Sequence, residues 1–509
     1  MPPKTRYDTV SEIAKRRGFY WPSFEIYGGM SGFVTYGDLG TKLKRKVEAR
    51  WKEYFVRKQG FLEIDDPVLN PEKVFLASGH LENFKEYSVA CQSCGKSFRA
   101  DHLIEEKTGL ENVEALGGEA IKSLMVEKSI LCPECGGELS EPTLILTMFK
   151  TEIGARGGET GYARPETAQA MFMNFKRAYL HNREKLPFAL AQASKAMRNE
   201  ISPRQGMIRL REFTIMELEL FFDPNDPRCP WLGDVENTVI RLITEEMEEK
   251  DIRESLVLTI REALDGELVL TEWQGYFMGV SQRFLNSLGV PSELQRFRAH
   301  LPAERAHYSA QTHDHEVKLE TWGWTEVSGI AYRTDYDLKN HMEASGEDMT
   351  VLRQDGTRYI PHVVEPSYGL DRLVYVTLDN SYERREKRNI LHLDRGLAPY
   401  QVGVLPLVTK DGLTEKSVEV RDLLIDNGFW VLYDEGGSIG RRYARLDEIG
   451  VPLGVAVDYD SARDDTVTIR NRDTWDQVRL KIEDLPSALS EYYARGRDFY
   501  ELGEPVTRD

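Results

Sequence analysis

The chain has 509 residues, 41% hydrophobic and 29% charged, which is enough apolar material for a large core divided among three or four domains at about 150 residues each. Lys plus Arg number 66 and Asp plus Glu 84, a formal net charge of −18, which excludes a protein that coats nucleic acid or anionic membrane by bulk charge but leaves room for a local basic surface. No run of about 18 apolar residues is present, the opening MPPKTRYDTVSEIAKRRG lacks an apolar signal region, and five cysteines are too few for a disulfide scaffold, so a protein of the reducing cytoplasm with no membrane partner is expected.

In chain order, Leu43, Val47, Trp51 and Phe55 recur every four residues and predict one apolar helix stripe, with basic residues on the other faces and Gly60 as its stop. A short strand over 61–65 follows, and Pro67 places it at a sheet edge or a strand end. Residues 1–75 are read as the first part of a large domain and 76–140 as an insertion. Residues 141–395 continue the large domain, with a helix-rich insertion at about 225–301. Strand-like runs at 400–408, 429–433 and 452–458, with a helix over 415–426, predict a C-terminal α/β domain from 398 with a largely parallel sheet.

Within the first insertion, Cys91-Gln-Ser-Cys94-Gly95 and Cys132-Pro-Glu-Cys135-Gly136 form two CxxC knuckles. Four thiolates at this spacing can surround a structural zinc ion, each glycine permitting the turn that aims both sulfurs at one metal. The plainer reading is two unrelated reduced pairs; the doubled spacing favours zinc, although 37 residues separate the knuckles. Cys229 has no assigned role. His313-Thr-His315 could supply metal ligands, but a solvated loop is favoured.

The most informative stretch runs from Phe188 to Phe222. A strand ending at Met197, a turn through Ile201-Ser-Pro-Arg-Gln-Gly206 and a second strand over 207–222 make a hairpin. Strand alternation puts Ile208, Leu210, Met216, Leu218 and Leu220 on one face and Arg209, Arg211, Phe213, Glu217 and Glu219 on the other. That second face runs from cations through an aromatic ring to carboxylates. Phe213 and Glu217 stand four residues apart, about 13 Å along a strand, which suits a ligand with opposite charges at its two ends.

Arg198-Asn-Glu200 with the strand after it resembles motif 2 of the class II aminoacyl-tRNA synthetases, Glu365-Pro-Ser-Tyr-Gly-Leu-Asp-Arg372 resembles motif 3, and the basic helix with its strand and Pro67 resembles motif 1. The series Glu25-Ile-Tyr-Gly-Gly29, Ser78-Gly-His80, Arg99-Ala-Asp-His102, Met148-Phe-Lys-Thr151, Arg164-Pro-Glu-Thr-Ala-Gln169 and Gly329-Ile-Ala-Tyr-Arg-Thr-Asp335 resembles, in order and over nearly the whole chain, the dimeric type of glycyl-tRNA synthetase. The resemblance implies an antiparallel catalytic sheet flanked by helices (an α+β core), zinc-binding and helical insertions, and a C-terminal α/β anticodon-binding domain. It implies a homodimer that joins glycine to tRNA(Gly) with ATP and Mg²⁺, zinc being structural, and no DNA partner.

The same resemblance assigns positions. Arg198 and Arg372 are the expected catalytic cations, and no general acid or base is assigned. ATP contacts are expected from Arg198, Asn199, Glu200, Ile208, Arg209, Leu210, Arg211, Glu212 and Phe213, from Glu326 and Val327, and from Gly369, Leu370, Asp371 and Arg372. Glycine contacts are expected from Arg99, Glu166, Phe213, Thr214, Ile215, Met216, Glu217, Glu365, Pro366 and Ser367. Several carboxylates around a small cavity fit an ammonium ion; Glu166 is also placed to be a helix N-terminal carboxylate. Family members often have Gly where this chain has Ala170, and Asp371 precedes the motif 3 arginine; neither removes a charge the chemistry needs. The C-terminal region from Ala398 has 14 Lys plus Arg and 22 Asp plus Glu, net 14 − 22 = −8. Its clearest basic cluster, Arg441, Arg442 and Arg445, suits either RNA or a solvated helix face. A non-catalytic nucleic-acid-binding relative and another class II synthetase are the competing readings; the ATP arginines and the acidic set argue against them.

Overall fold

A computed structural model describes residues 4–110, 113–155, 157–203 and 206–506. Arg204 and Gln205 of the predicted hairpin turn lie outside the described residues. Helix α1 (Arg6–Arg17) opens with a Thr5 capping box and closes on Gly18 in the left-handed region. Helix α2 (Asp38–Lys52) runs on into one π-helical turn, Glu53–Arg57. Leu43, Val47, Trp51 and Phe55 are all essentially inaccessible along it, so the apolar stripe is the face it buries. Its start packs so closely on the preceding turn that a side chain at Gly40 would collide with the Phe19 carbonyl oxygen.

The central sheet has nine strands: β1 (Leu62–Glu63), β2 (Phe188–Met197), β3 (Glu212–Phe222), β4 (Val239–Ile243), β5 (Leu256–Thr259), β6 (Gln295–Ala299), β7 (Gln311–Leu319), β8 (Gly323–Thr334) and β9 (His362–Gly369). Their spatial order is β5-β4-β6-β7-β8-β9-β3-β2-β1, and the short strand before Pro67 does sit at an edge. All ladders are antiparallel except β1/β2 and β4/β6. The segment expected to be helix-rich holds the long helix α4 (Glu272–Ser287) but also gives β4, β5 and β6 to this sheet; Trp273, Phe277, Phe284 and Leu285 of α4 are buried in the main core.

Strand β3 carries two kinds of surface. Met216, Leu218 and Leu220 join the main core on one side. On the other, Phe221 packs with Phe188 and with Met171, Phe172 and Phe175 of helix α3 (Ala168–His181), while Glu217 and Glu219 stand between this core and the open cavity. The strand begins at Glu212, not at Met207 as the alternation predicts. The cause is competition for the backbone: the Arg211 N–H donates to Gly32 O at 2.8 Å, and the Arg211 side chain donates to Glu200 O at 3.0 Å and Ser31 O at 2.9 Å. Residues 206–208 coil into a 3₁₀ turn instead, so Arg209 and Arg211 leave the face shared by Phe213 and Glu217.

The C-terminal domain has strands β10 (Val402–Pro406), β11 (Val431–Tyr433), β12 (Leu453–Val457), β13 (Thr466–Asn471), β14 (Gln477–Lys481) and β15 (Glu504–Pro505), ordered β11-β10-β12-β13-β14-β15. The first three are parallel, as read from the sequence. The rest are antiparallel, so the sheet is mixed rather than largely parallel. After helix α6 (Leu413–Asp426), helix α7 (Ile439–Glu448) joins it to the body through Glu448, which pairs with Arg16 and Arg17 of α1.

Helix α5 (Leu370–Ser381) begins where β9 ends, and Asp371 in its first turn ties three elements together. Buried itself, it accepts from Lys44 Nζ of α2 at 2.7 Å, Tyr36 Oη at 2.6 Å and the Thr214 N–H of β3 at 2.5 Å. Burial alone would raise this carboxyl; the Lys44 charge and the donated hydrogen bonds outweigh it and hold the group below its ordinary range. Asp371→Asn leaves the Lys44 ammonium without its counter-charge, so a loss of about 3–5 kcal/mol is expected; urea unfolding should show the transition of the large domain moved to lower denaturant.

Candidate functional site

The cavity between β3, β8, β9 and the 206–208 turn encloses about 210 Å³. Its lining includes Arg198, Glu200, Ile208, Arg209, Leu210, Phe213 and Ile215 on the hairpin side. Glu326, Val327, Ser367, Gly369, Asp371 and Arg372 close the other side. Arg198 Nε donates to Pro165 O at 3.2 Å, and its guanidinium lies 5.5 Å from the ring centres of both Phe213 and Phe84, a cation held between two aromatic faces. Arg372 Nε donates to Ile208 O at 3.2 Å, and Nη1 reaches the Glu326 carbonyl and carboxylate, so this arginine bridges the 3₁₀ turn to β8. Arg209 lies 3.4 Å from Glu200. Arg198, Glu200 and Arg209 also line an adjoining cavity of about 610 Å³, whose far wall is Asn83, Phe84, Lys85 and Glu86.

Behind Ser367 the surface becomes a buried acidic cluster. The register aligns Gln192, Glu217, Ser367 and Gly329 in one row across β2, β3, β9 and β8. Glu217 is 2% exposed and accepts from the Thr167 N–H and Oγ1, both at 2.6 Å, and from Ser367 Oγ at 2.8 Å. Burial and the neighbouring Glu166 charge push its carboxyl up, against those hydrogen bonds. Glu166 accepts from Gln169 Nε2 at 3.1 Å and lies 3.3 Å from His80 Nε2 and 3.8 Å from Arg333. Burial would raise it, but its interactions with His80 and Arg333 win and hold it below the usual carboxylate range. It precedes Thr167, the N-cap of α3, and so stands just outside the helix whose first turn was read as holding it.

Arg333 organises this cluster. It is wholly inaccessible, donates twice to Asp337, at 2.8 and 3.0 Å, and donates to Glu365 Oε2 at 2.8 Å. Its guanidinium lies 3.6 Å from the Tyr308 ring centre and 5.1 Å from that of Phe172. Glu365, buried and only partly offset by Arg333, is pushed up to about 8, with the Glu217 and Glu166 charges adding to the effect. Thr167, His80, Arg333 and Asp337 were not among the expected contacts. The first three lie inside the strings Arg164–Gln169, Ser78–His80 and Gly329–Asp335, so the strings themselves carried the signal.

Other expected contacts take other places. Leu370 and Met216 are in the main core, and Thr214 faces away from Glu217 along β3, its N–H bound to Asp371. Glu212 pairs with Lys195 at 2.9 Å, Arg211 braces the 31–32 loop, and the Asn199 N–H donates to Thr147 O. Pro366 is a buried β9 residue opposite Ile330. Arg99 binds Glu86 at 2.6 Å and Asp101 at 3.1 Å and lines a separate small hollow with His102, Glu200 and Arg209.

His313 and His315 lie on central strand β7, fully buried, which overturns the solvated-loop reading: both face the core, and His315 Nδ1 pairs with Ser281 Oγ of α4 at 2.6 Å. Burial holds both imidazoles down to about 3, hence neutral. The basic cluster of α7 dissolves as well. Arg442 is buried and donates to Glu435 O and Gly437 O at 2.7 Å, and Arg445 forks onto Asp434, which leaves Arg441 as the exposed member.

In the Cys module, Cys91, Cys94, Cys132 and Cys135 bring their sulfurs within 4.8 Å of one another, with Cys91–Cys135 at 3.5 Å and Cys94–Cys132 at 3.7 Å. A tetrahedron with bonds of about 2.3 Å has edges of about 3.8 Å, so the four thiols fit a metal ion. Each knuckle closes with a glycine N–H on its first cysteine carbonyl, Gly95 to Cys91 and Gly136 to Cys132, both at 2.9 Å, and both glycines have φ near +70°. Val89, Phe98, Ile104, Ile121 and Ile130 form a small core beneath.

Residues 149–381, which hold the cavity and the acidic cluster, match the tRNA synthetase class II core domain (G, H, P, S and T), and residues 401–492 match an anticodon binding domain. Fold and site are therefore those of a class II aminoacyl-tRNA synthetase. The Giardia lamblia prolyl-tRNA synthetase solved with prolyl-adenylate shares this fold at 14% identity, TM-score 0.59, over 95% of this chain and 75% of that one. A glycine–tRNA ligase of Aeropyrum pernix is 40% identical over 98% of this chain and 99% of its own length, and one of Thermococcus gammatolerans is 43% identical over 96% and 98%. The chain belongs to the glycine–tRNA ligase family. No helix among the described residues is long and apolar enough to cross a membrane.

Proposed function

We propose that this chain activates glycine with ATP and transfers it to tRNA(Gly). The observation that carries the reading is the polarity of one connected site: guanidinium groups at one end, buried glutamates at the other, in a chain related along its whole length to glycine–tRNA ligases.

The glycine carboxylate attacks the α-phosphorus of ATP, pyrophosphate leaves, and the terminal ribose hydroxyl of tRNA then attacks the glycyl carbonyl, releasing AMP. Positioning and charge neutralisation suffice for the first step. Arg198, fixed between Phe84 and Phe213, is placed to meet charge developing on the α-phosphate. Arg209 is assigned the terminal phosphates, Phe213 and Arg372 the two faces of adenine, and Glu200 its amino group. Mg²⁺ would add charge neutralisation at the phosphates, with the Glu326 carboxylate at the cavity rim as its oxygen donor. Glu166, Glu217 and Glu365 hold the ammonium, oriented by Thr167, Ser367 and Arg333. Steric exclusion from so small a pocket rejects larger amino acids without a separate editing site.

Pyrophosphate exchange tested with each amino acid should be stimulated by glycine; stimulation by alanine or serine but not by glycine would sink the reading. Arg198→Ala should cut exchange by about 10²–10³-fold while the circular dichroism spectrum is unchanged. The four cysteines form no disulfide and are assigned a structural zinc ion. Metal analysis of the purified protein should return about one zinc per chain, and Cys91→Ser with Cys135→Ser should abolish it. The motif 1 helix supports a homodimer; light scattering at micromolar concentration should give twice the chain mass of 58.4 kDa.

A further inference from the structure

One group on the glutamate face of β3 is left unused by the reading above. Glu219 is fully buried, and neither of its carboxyl oxygens has a hydrogen-bond partner among the described residues. An ionised carboxylate left alone in such a place costs several kcal/mol even after relaxation, so its neighbours decide its state.

Those neighbours, and the groups set against them, come from several elements. Glu217 is on the same strand, and Glu365 stands opposite on β9, two residues from the Glu217–Ser367 pair on either side. Arg333 is on β8 and Asp337 on the helix Tyr336–Ser345. Glu166 precedes α3, with His80 against it. Farther out, Tyr308 lies on Arg333, and His341 is bound to Gln169 at 2.8 Å. Hydrogen bonds sort the acids, because an ionised carboxylate can only accept. Glu217 accepts three bonds, Asp337 accepts both prongs of Arg333, and Glu166 accepts from Gln169 beside His80 and Arg333. These three have the donors that an ionised carboxylate needs. Glu365 has one guanidinium N–H, and Glu219 has none. Two facing acids with one donor between them in dry surroundings do not both ionise. Burial and the Glu365 charge drive Glu219 well above the ordinary carboxylate range, in keeping with this.

We propose that in the empty site Glu219 and Glu365 share a proton, and that the substrate's ammonium group expels it to solvent on binding. One positive charge enters and one proton leaves, the ammonium keeps its own protons, and the net charge of the pocket is unchanged. Glu219 is then a positioning residue that acts through Glu365. This rests on the reading of the acidic cluster as the ammonium pocket.

The test is the KM for glycine in pyrophosphate exchange, with the full-length wild-type protein, from about pH 6 to pH 9. Binding that requires loss of one proton makes KM fall about tenfold per pH unit until the pair ionises unaided, where the profile flattens. The KM for ATP should show no such slope. In Glu219→Gln the amide keeps the shape of the neutral acid, and Glu365 loses its facing carboxyl and ionises at lower pH. The glycine profile should flatten, with KM at pH 6 at or below that of the wild type. A purely structural role would raise KM in parallel at every pH. A flat wild-type profile, or a Glu219→Gln profile with the wild-type slope, would overturn the proposal. Should Glu219→Gln not fold, calorimetric titration of the wild type with a glycyl-adenylate analogue, in buffers of different ionisation enthalpy, should show about one proton released per site; none released refutes it. Absence of any glycine-dependent exchange would instead defeat the reading of the site, whereas exchange with a flat profile defeats only the shared proton.

Discussion

The buried guanidinium of Arg333 is the interaction on which the site depends. A protein interior tolerates an ionised carboxylate only beside a counter-charge or several donors. Here Asp337, Glu365 and Glu166 all look to one wholly inaccessible arginine. Those residues belong to a helix, a strand and the entrance of another helix. Satisfying one cation therefore fixes how the helix Tyr336–Ser345, β9 and α3 meet β8. Tyr308 and Phe172 cover the guanidinium faces and keep water from it. The acidic cluster thus has its shape fixed by the protein's own contacts, which is the condition for selecting a small ligand by fit.

A second lock sets the other end of the cavity. Asp371 joins helix α2, through Lys44, and Tyr36 just before that helix to the Thr214 backbone of β3, and the next residue, Arg372, is thereby aimed across the cavity onto Ile208 and Glu326. Asp371 was expected to touch ATP directly. Its carboxylate is engaged by Lys44, Tyr36 and Thr214 at the cavity wall, beside the arginine it positions.

What the sequence disclosed follows from what periodicity can register. The stripe from Leu43 to Phe55, the strand pair around the hairpin turn and the cysteine knuckles are local patterns, and each is present in the structure. Residues 207–211 alternate like a strand, yet their backbone is drawn off by Gly32, a partner about 180 residues away that no local pattern announces. Arg442 reads as an RNA-facing or solvated cation because charge is usually solvated; only its tertiary partners make burial possible. His313 and His315 misled in the same way, since alternation on β7 puts them in the core and neutral imidazoles tolerate it. The motif strings nonetheless held Thr167, His80 and Arg333, which shows that a string can mark a site before its members have roles.

The acidic excess of the whole chain now divides into uses. Part of it is the buried cluster of Glu166, Glu217, Glu219, Glu365 and Asp337 around Arg333. Much of the rest occupies arginines that would otherwise form basic patches. In the C-terminal domain Asp447 takes Arg470 and Arg388, Asp434 takes Arg445, and Asp458 takes Arg479. A surface depleted of free cations in this way attracts RNA weakly at long range. Recognition by such a domain must then rest on shape, on stacking and on hydrogen bonds to exposed base edges. That arrangement favours discrimination over affinity, because non-specific attraction rewards every polyanion equally, whereas a fitted contact rewards only the nucleic acid that presents the matching bases.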